Sequence, residues 1–111
     1  AEKISRPAIV SENKISVDSV IFTDKDGKEI KSPNGYSEIS AKITAFINGE
    51  GIVFMALYDM DGKLQKIAKA DMTQKENIVT MTGINPGGGA KVKLMIFNKT
   101  DLLNPVYTQS L

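Results

Sequence analysis

The sequence predicts an all-β protein, an antiparallel β-sandwich of the immunoglobulin or fibronectin type III kind with about seven or eight strands. Three observations support this fold class. Short runs rich in Val, Ile, Phe and Tyr recur along the chain, turn residues separate them every eight to twelve positions, and no segment sustains a helical repeat of apolar residues. Regularly spaced short strands with Gly, Pro, Asn and Asp between them are typical of sandwiches. A Greek-key barrel is the alternative fold.

The clearest strand lies at residues 39–47. Its odd-numbered residues are all apolar, whereas Ser40, Lys42 and Thr44 alternate with them. A period of two is typical of a strand with one face on the core and the other in water. Phe46 interrupts the polar face, and we expect it to cover a neighbouring loop.

Similar patterns predict six further strands, at residues 15–23, 52–58, 63–70, 77–82, 91–98 and 106–111. Residues 52–58 leave neither face polar, which predicts a central strand covered on both sides. Asp and Gly at residues 24–27 and 59–62 predict tight turns, because both residue types accept positive φ angles. Residues 1–13 are interpreted as a linker or a lead-in strand, and residues 14–111 as a single sandwich module.

The apolar sides of the most regular strands define the expected core. In residues 91–98, for example, Lys93 and Phe97 lie on the face opposite the aliphatic row. Four residues are assigned to the interior between the sheets: Ile43, Leu57, Leu94 and Ile96.

Size and charge restrict the function. The chain has 111 residues and a mass of 12.1 kDa, enough for one domain with its own core, and it has no cysteine for disulfides or thiolate metal sites. Fourteen basic and 13 acidic residues give a net charge of +1, without the basic cluster that nucleic acid requires. No apolar run approaches the ~20 residues of a membrane-spanning helix, and no signal-peptide pattern opens the chain. We therefore predict no nucleic-acid partner and no membrane insertion.

The residue inventory also argues against catalysis. The chain contains no histidine, which excludes Ser-His and Cys-His nucleophile systems. Its paired carboxylates, Asp24 with Asp26 and Asp59 with Asp61, stand beside glycines in expected surface turns. Solvated carboxylates lack the raised pKa that a general acid needs. We predict that the protein is not an enzyme, and we assign neither catalytic residues nor a cofactor.

The same two turns resemble the beginning of a calcium-binding loop. Calcium requires six to eight oxygen ligands, including a bidentate acid well downstream. Glu29 alone follows the first turn closely, and no acid follows the second before Asp71. A plain hairpin turn explains both patterns, so no metal site is predicted.

Exposed aromatic rings are the remaining candidates for a binding surface. Sugar-binding modules stack pyranose rings on aromatic faces, above all tryptophan, which this chain lacks. The candidate members of a platform are Tyr36, Tyr58, Phe97 and Tyr107. Aromatic residues in strands more often belong to the core or cover an edge, and we expect Phe97 to cover Leu102 and Leu103 in the loop that follows it.

Two stretches resemble a family of extracellular modules. Residues 56–64 are similar to an ALYDxxGKL hairpin, and residues 92–106 are similar to a VKxFxWDSLxxxKPL ending, with Phe97 and Asn98 in place of Trp and Asp. Together, over residues 15–111, they resemble a β-sandwich accessory module of large extracellular proteins of Gram-positive bacteria. Such modules are appended to glycoside hydrolases, surface-layer-associated proteins and other cell-wall proteins. The resemblance implies an extracellular or cell-surface location and no catalytic residues.

Three functions follow as hypotheses. The first is a spacer or interaction module that positions neighbouring domains of the same polypeptide. The second is a carbohydrate-binding module for cell-wall or plant polysaccharide, and the third is a docking domain for another surface protein. A sugar binder should place at least two aromatic faces on one exposed surface. A docking domain should show an apolar patch or an unprotected strand edge, and a spacer should show neither.

Overall fold

The computed structural model describes residues 14–111, and the predicted linker at residues 1–13 lies outside this range. The described chain contains no helix, and hence none that could span a membrane. Its seven strands are β1 (Lys14–Thr23), β2 (Glu38–Asn48), β3 (Gly51–Tyr58), β4 (Leu64–Met72), β5 (Glu76–Thr82), β6 (Lys91–Asn98) and β7 (Tyr107–Ser110).

The strands form two antiparallel sheets, which confirms the predicted all-β sandwich. One sheet has three strands in the order β1-β2-β5, and the other has four in the order β4-β3-β6-β7. In antibody constant domains the fourth strand joins the sheet of the first two. Here β4 pairs with β3 instead, and this placement creates a broad second sheet whose outer surface carries the candidate site.

The core lies between the two sheets, as the alternating strands predict. Ile43, Leu94 and Ile96 are fully buried, and Leu57 is 3% exposed. All four predicted core residues are therefore confirmed. The cluster also includes methionines and valines from both sheets, among them Val53, Met55, Met72, Val79, Met81 and Val92.

A β-bulge at Asp18 brings four apolar residues of β1 onto the face that packs on the core. Strand pairing with β2 shifts register between Val17 and Ser19. Ile15 and Val17 precede the bulge at odd positions, whereas the buried Val20 and Phe22 follow it at even positions. The extra residue at the bulge lets both pairs, Ile15 with Val17 and Val20 with Phe22, face the core. In a strand without the bulge, odd and even positions point to opposite faces, and one of the two pairs would point into solvent.

The strand β3 is central in its sheet, but only one of its faces is fully covered. Val53 and Leu57 face the core, whereas Phe54 and Tyr58 on the opposite face stay partly exposed. The prediction of cover on both sides is therefore wrong for the outer face. Within residues 14–111 no second layer packs there, and the apolar residues of that face are partly exposed.

Candidate functional site

The candidate site is the outer face of the four-stranded sheet. Strand pairing places Phe54 of β3 between Lys69 and Met95, and the next outward residue, Ile52, beside Phe97. We call the following eight residues the apolar face: Ile52, Phe54, Ala56, Tyr58, Leu64, Ile67, Met95 and Phe97.

This face leaves large apolar side chains in contact with water. Ile67 and Leu64 of the edge strand β4 are 52% and 51% exposed, while Met95, Phe54 and Phe97 are partly exposed. Isolated exposed apolar residues are common, but a contiguous group on one sheet is typical of an interaction surface. The apolar face therefore meets the criterion for a docking domain.

Two aromatic residues of the face pack against each other. The rings of Phe54 and Phe97 lie 5.8 Å apart at an interplanar angle of 77°, an edge-to-face arrangement. Phe97 was expected to cover Leu102 and Leu103, but Leu103 is 89% exposed, so the prediction is wrong for Leu103. Because the two rings are nearly perpendicular, they do not offer two coplanar faces on which successive sugars could stack.

Lysines give the face a positive charge. Lys69, Lys91 and Lys93 point to the same side of the sheet as the apolar residues. Within residues 14–111, none of the three forms an ion pair. The acid of this face, Asp71, lies 3.0 Å from Lys99 Nζ, and this hydrogen bond raises the pKa of Lys99. The three lysine charges therefore remain available to a partner.

The four aromatic residues predicted as site candidates do not form one surface. Tyr36 and Tyr107 pack against the core, and the Tyr107 hydroxyl donates to Gln109. Tyr58 and Phe97 share the apolar face, but Tyr58 pairs with Lys91, six residues before Phe97 along β6. At about 3.3 Å per residue, this places them roughly 20 Å apart.

The sequence patterns did not identify Leu64, Ile67 or the lysines as site residues. A signal for the site was present, because residues 52–58 and 91–98 both carry apolar residues on their outward faces. In residues 52–58 that pattern was interpreted as burial, whereas it marks an apolar surface. Phe46, expected to cover a loop, is likewise 61% exposed on the outer side of the other sheet.

A second notable feature is the β6–β7 loop, residues 99–106, which hydrogen bonds of the Asn98 and Asp101 side chains hold in place. The Oδ1 atom of Asn98 accepts hydrogen bonds from the Thr100 N–H at 3.0 Å and from its hydroxyl at 2.8 Å. Asp101 accepts from Asn104 Nδ2 and from the Leu103 N–H, and these bonds lower its pKa. These polar groups are therefore hydrogen-bonded within the loop, whereas Leu102 and Leu103 are exposed to solvent.

A cleft of about 390 Å³ opens at the opposite end of the sandwich, beside Tyr58. Its two charged side chains are engaged within the protein. Lys66 Nζ donates to the Thr82 carbonyl at 2.6 Å, and Asp59 Oδ2 accepts from Gln65 Nε2 at 2.9 Å. The charged groups that would orient a small ligand in this cleft are therefore already hydrogen-bonded, and the apolar face is the stronger candidate.

The two Asp-Gly turns have the same geometry. In each, Oδ1 of the first aspartate accepts the backbone N–H groups two and four residues further along. The distances are 2.9 and 3.0 Å in the Asp24 turn and 2.9 Å for both in the Asp59 turn. No group of three or more acidic, His or Cys side chains within residues 14–111 could hold a metal ion.

We expect calcium to leave the stability of the protein unchanged. The first aspartate of each turn is already occupied by backbone donors, and within residues 14–111 no group of three or more acidic side chains forms there. A specific site would stabilise the folded state by mass action. Thermal unfolding should give the same midpoint in excess calcium and in excess chelator, and a rise of several degrees with calcium would refute the expectation.

Comparison with known proteins gives no relative for this chain. No protein-family model, curated protein or solved structure matches it. Membership of the extracellular module family stays a prediction.

Proposed function

We propose that this protein is a non-catalytic interaction module of a secreted or surface-attached multidomain bacterial protein, and that it docks on another folded protein through the apolar face. The location rests on the sequence resemblance. The docking role rests on one observation, the contiguous apolar surface on the outer side of the four-stranded sheet.

The alternative functions fit this surface less well. A passive spacer does not require large apolar side chains that contact water, whereas Ile67 and Leu64 are both about half exposed. A carbohydrate platform needs flat, accessible ring faces, whereas Phe54 and Phe97 are partly buried and cross at 77°. Tyr58 is too distant from this pair to extend it.

The charges define the partner's chemistry. An apolar strip flanked by Lys69, Lys91 and Lys93 is complementary to an apolar surface with acidic residues at its rim. Opposite charges at an interface rim mainly raise the association rate and select the partner, while the buried apolar contacts supply most of the affinity.

Site-specific photo-crosslinking in the natural host tests this function. A benzophenone side chain placed at Ile67 should crosslink to a protein, because this position lies on the apolar face and is 52% exposed. Ile78 is the matched control, since it is 60% exposed on the outer side of the other sheet. Mass spectrometry of the adducts then separates a protein partner from a glycan.

The proposal predicts protein adducts from position 67 and few or none from position 78. Adducts with polysaccharide at position 67 would favour the carbohydrate-binding alternative. Equal labelling at both positions, or none at either, would overturn the assignment of the face.

A further inference from the structure

We propose that the apolar face of one copy binds the leucines of the β6–β7 loop of a second copy, so that the module associates head to tail. The inference rests on the proposed function, since it uses the same face and names a second copy of this chain as the docking partner.

The loop is built to present an apolar contact. Leu103 is 89% exposed and Leu102 is 59% exposed, which makes Leu103 the most exposed of the large apolar residues in the described chain. The hydrogen bonds of Asn98 and Asp101 fix the loop before any contact forms. A pre-ordered loop loses little conformational entropy on binding, which favours association.

The charges of the two surfaces have opposite signs. Near the loop, Asp101 is joined by Glu50, whose carbonyl accepts from the Lys99 N–H at 3.1 Å. The ammonium of Lys99 lies 3.5 Å from Glu50 and 3.0 Å from Asp71, the acid at the neighbouring edge of the apolar face. The two carboxylates at the loop and one shared ammonium leave an excess of negative charge there. The apolar face presents three lysines without ion pairs within residues 14–111.

The same charges disfavour the symmetric alternative. If two copies met face to face, Lys69, Lys91 and Lys93 of each would approach those of the other, and like charges oppose such a contact. Loop-to-face contact avoids this repulsion. Because the two surfaces differ, the contact is heterologous, and it leaves a free loop at one end of a dimer and a free face at the other.

Sedimentation analysis of the purified chain tests the inference with two variants and their mixture. Leu102→Ser/Leu103→Ser removes the loop contact, and Ile67→Asp places a negative charge on the face. The wild type should show mass that rises with concentration, and each variant alone should stay monomeric. Loss of the two leucine contacts should weaken association about tenfold or more.

The mixture gives the decisive result. Equal amounts of the two variants should form a dimer and nothing larger, because the loop variant keeps an intact face and the face variant keeps an intact loop. High salt should weaken this dimer by screening the charges. Phe46→Ser and Ile78→Ser, at exposed positions on the outer side of the other sheet, should associate as the wild type does.

A monomeric wild type at every concentration would overturn the inference, and so would a mixture that does not associate or control variants that also lose association. The proposed function would be unaffected by these results if Ile67 still crosslinks to a different protein in the host. Absence of both association and crosslinking would reject the face itself.

Discussion

Leu94→Ala is expected to lower the free energy of unfolding by about 2–5 kcal/mol. Leu94 is fully buried in β6, between the two sheets, and it pairs with Met55 of β3, which is also fully buried. Truncation removes apolar contacts and leaves a cavity that the two rigid sheets cannot close. Denaturant unfolding of the wild type and the variant measures the difference directly.

Leu64→Ala is the matched control for this measurement. Leu64 is also a strand leucine, but it lies at the beginning of β4 and is 51% exposed. Its truncation should cost about 1 kcal/mol or less, because half of its surface is already in water. Equal losses for the two variants would show that burial does not separate these positions and that the assignment of the inner face is wrong.

The strands could be predicted from sequence because their signal is local. In β2 the apolar residues keep a strict period of two, and the predicted range of 39–47 differs from the observed Glu38–Asn48 by one residue at each end. The same alternation identified Ile43 as a core residue. A period of two states which residues share a face, and in a two-layer sandwich one face of each strand must be buried.

The apolar face could not be predicted because alternation does not show what covers the second face of a strand. Residues 52–58 are apolar on both faces. This pattern occurs both in a strand covered by a further layer and in a strand whose outer face is an exposed interaction surface. Only the pairing of β3 with β4 and β6 shows that Ile67 joins Phe54 and Phe97 on one surface. Such pairing depends on strand order, which single-sequence patterns do not encode.

The β6–β7 loop was misjudged for a different reason. Leu102 and Leu103 were expected to need apolar cover, so Phe97 was assigned to them. In the structure the backbone N–H groups of the loop donate hydrogen bonds to the side chains of Asn98 and Asp101. These hydrogen bonds fix the loop backbone and thereby the direction of the leucine side chains. Hydrogen bonds between side chain and backbone fix loops at short range, and they can override the tendency of leucine to be buried.

Asn98→Ala is expected to lower the free energy of unfolding by about 1–3 kcal/mol and to loosen the β6–β7 loop. Asn98 is 9% exposed, and its Oδ1 accepts from both the backbone N–H and the hydroxyl of Thr100. Alanine removes this acceptor and leaves both donors of Thr100 without it. Denaturant unfolding reports the stability, and amide hydrogen exchange across residues 99–106 reports the loop.

Asn98→Asp separates the hydrogen bonds from the volume of the side chain. Aspartate keeps an acceptor oxygen in reach of Thr100, so its stability loss should be smaller than that of alanine and the exchange of residues 99–106 should stay slow. The head-to-tail association should follow the same order, because it requires Leu102 and Leu103 in their fixed positions.

If Asn98→Ala left both stability and exchange unchanged, the loop would be held by other contacts and Asn98 would lose its assigned role. If aspartate were as damaging as alanine, the acceptor would not be the feature that matters, and burial of the added charge would explain the loss.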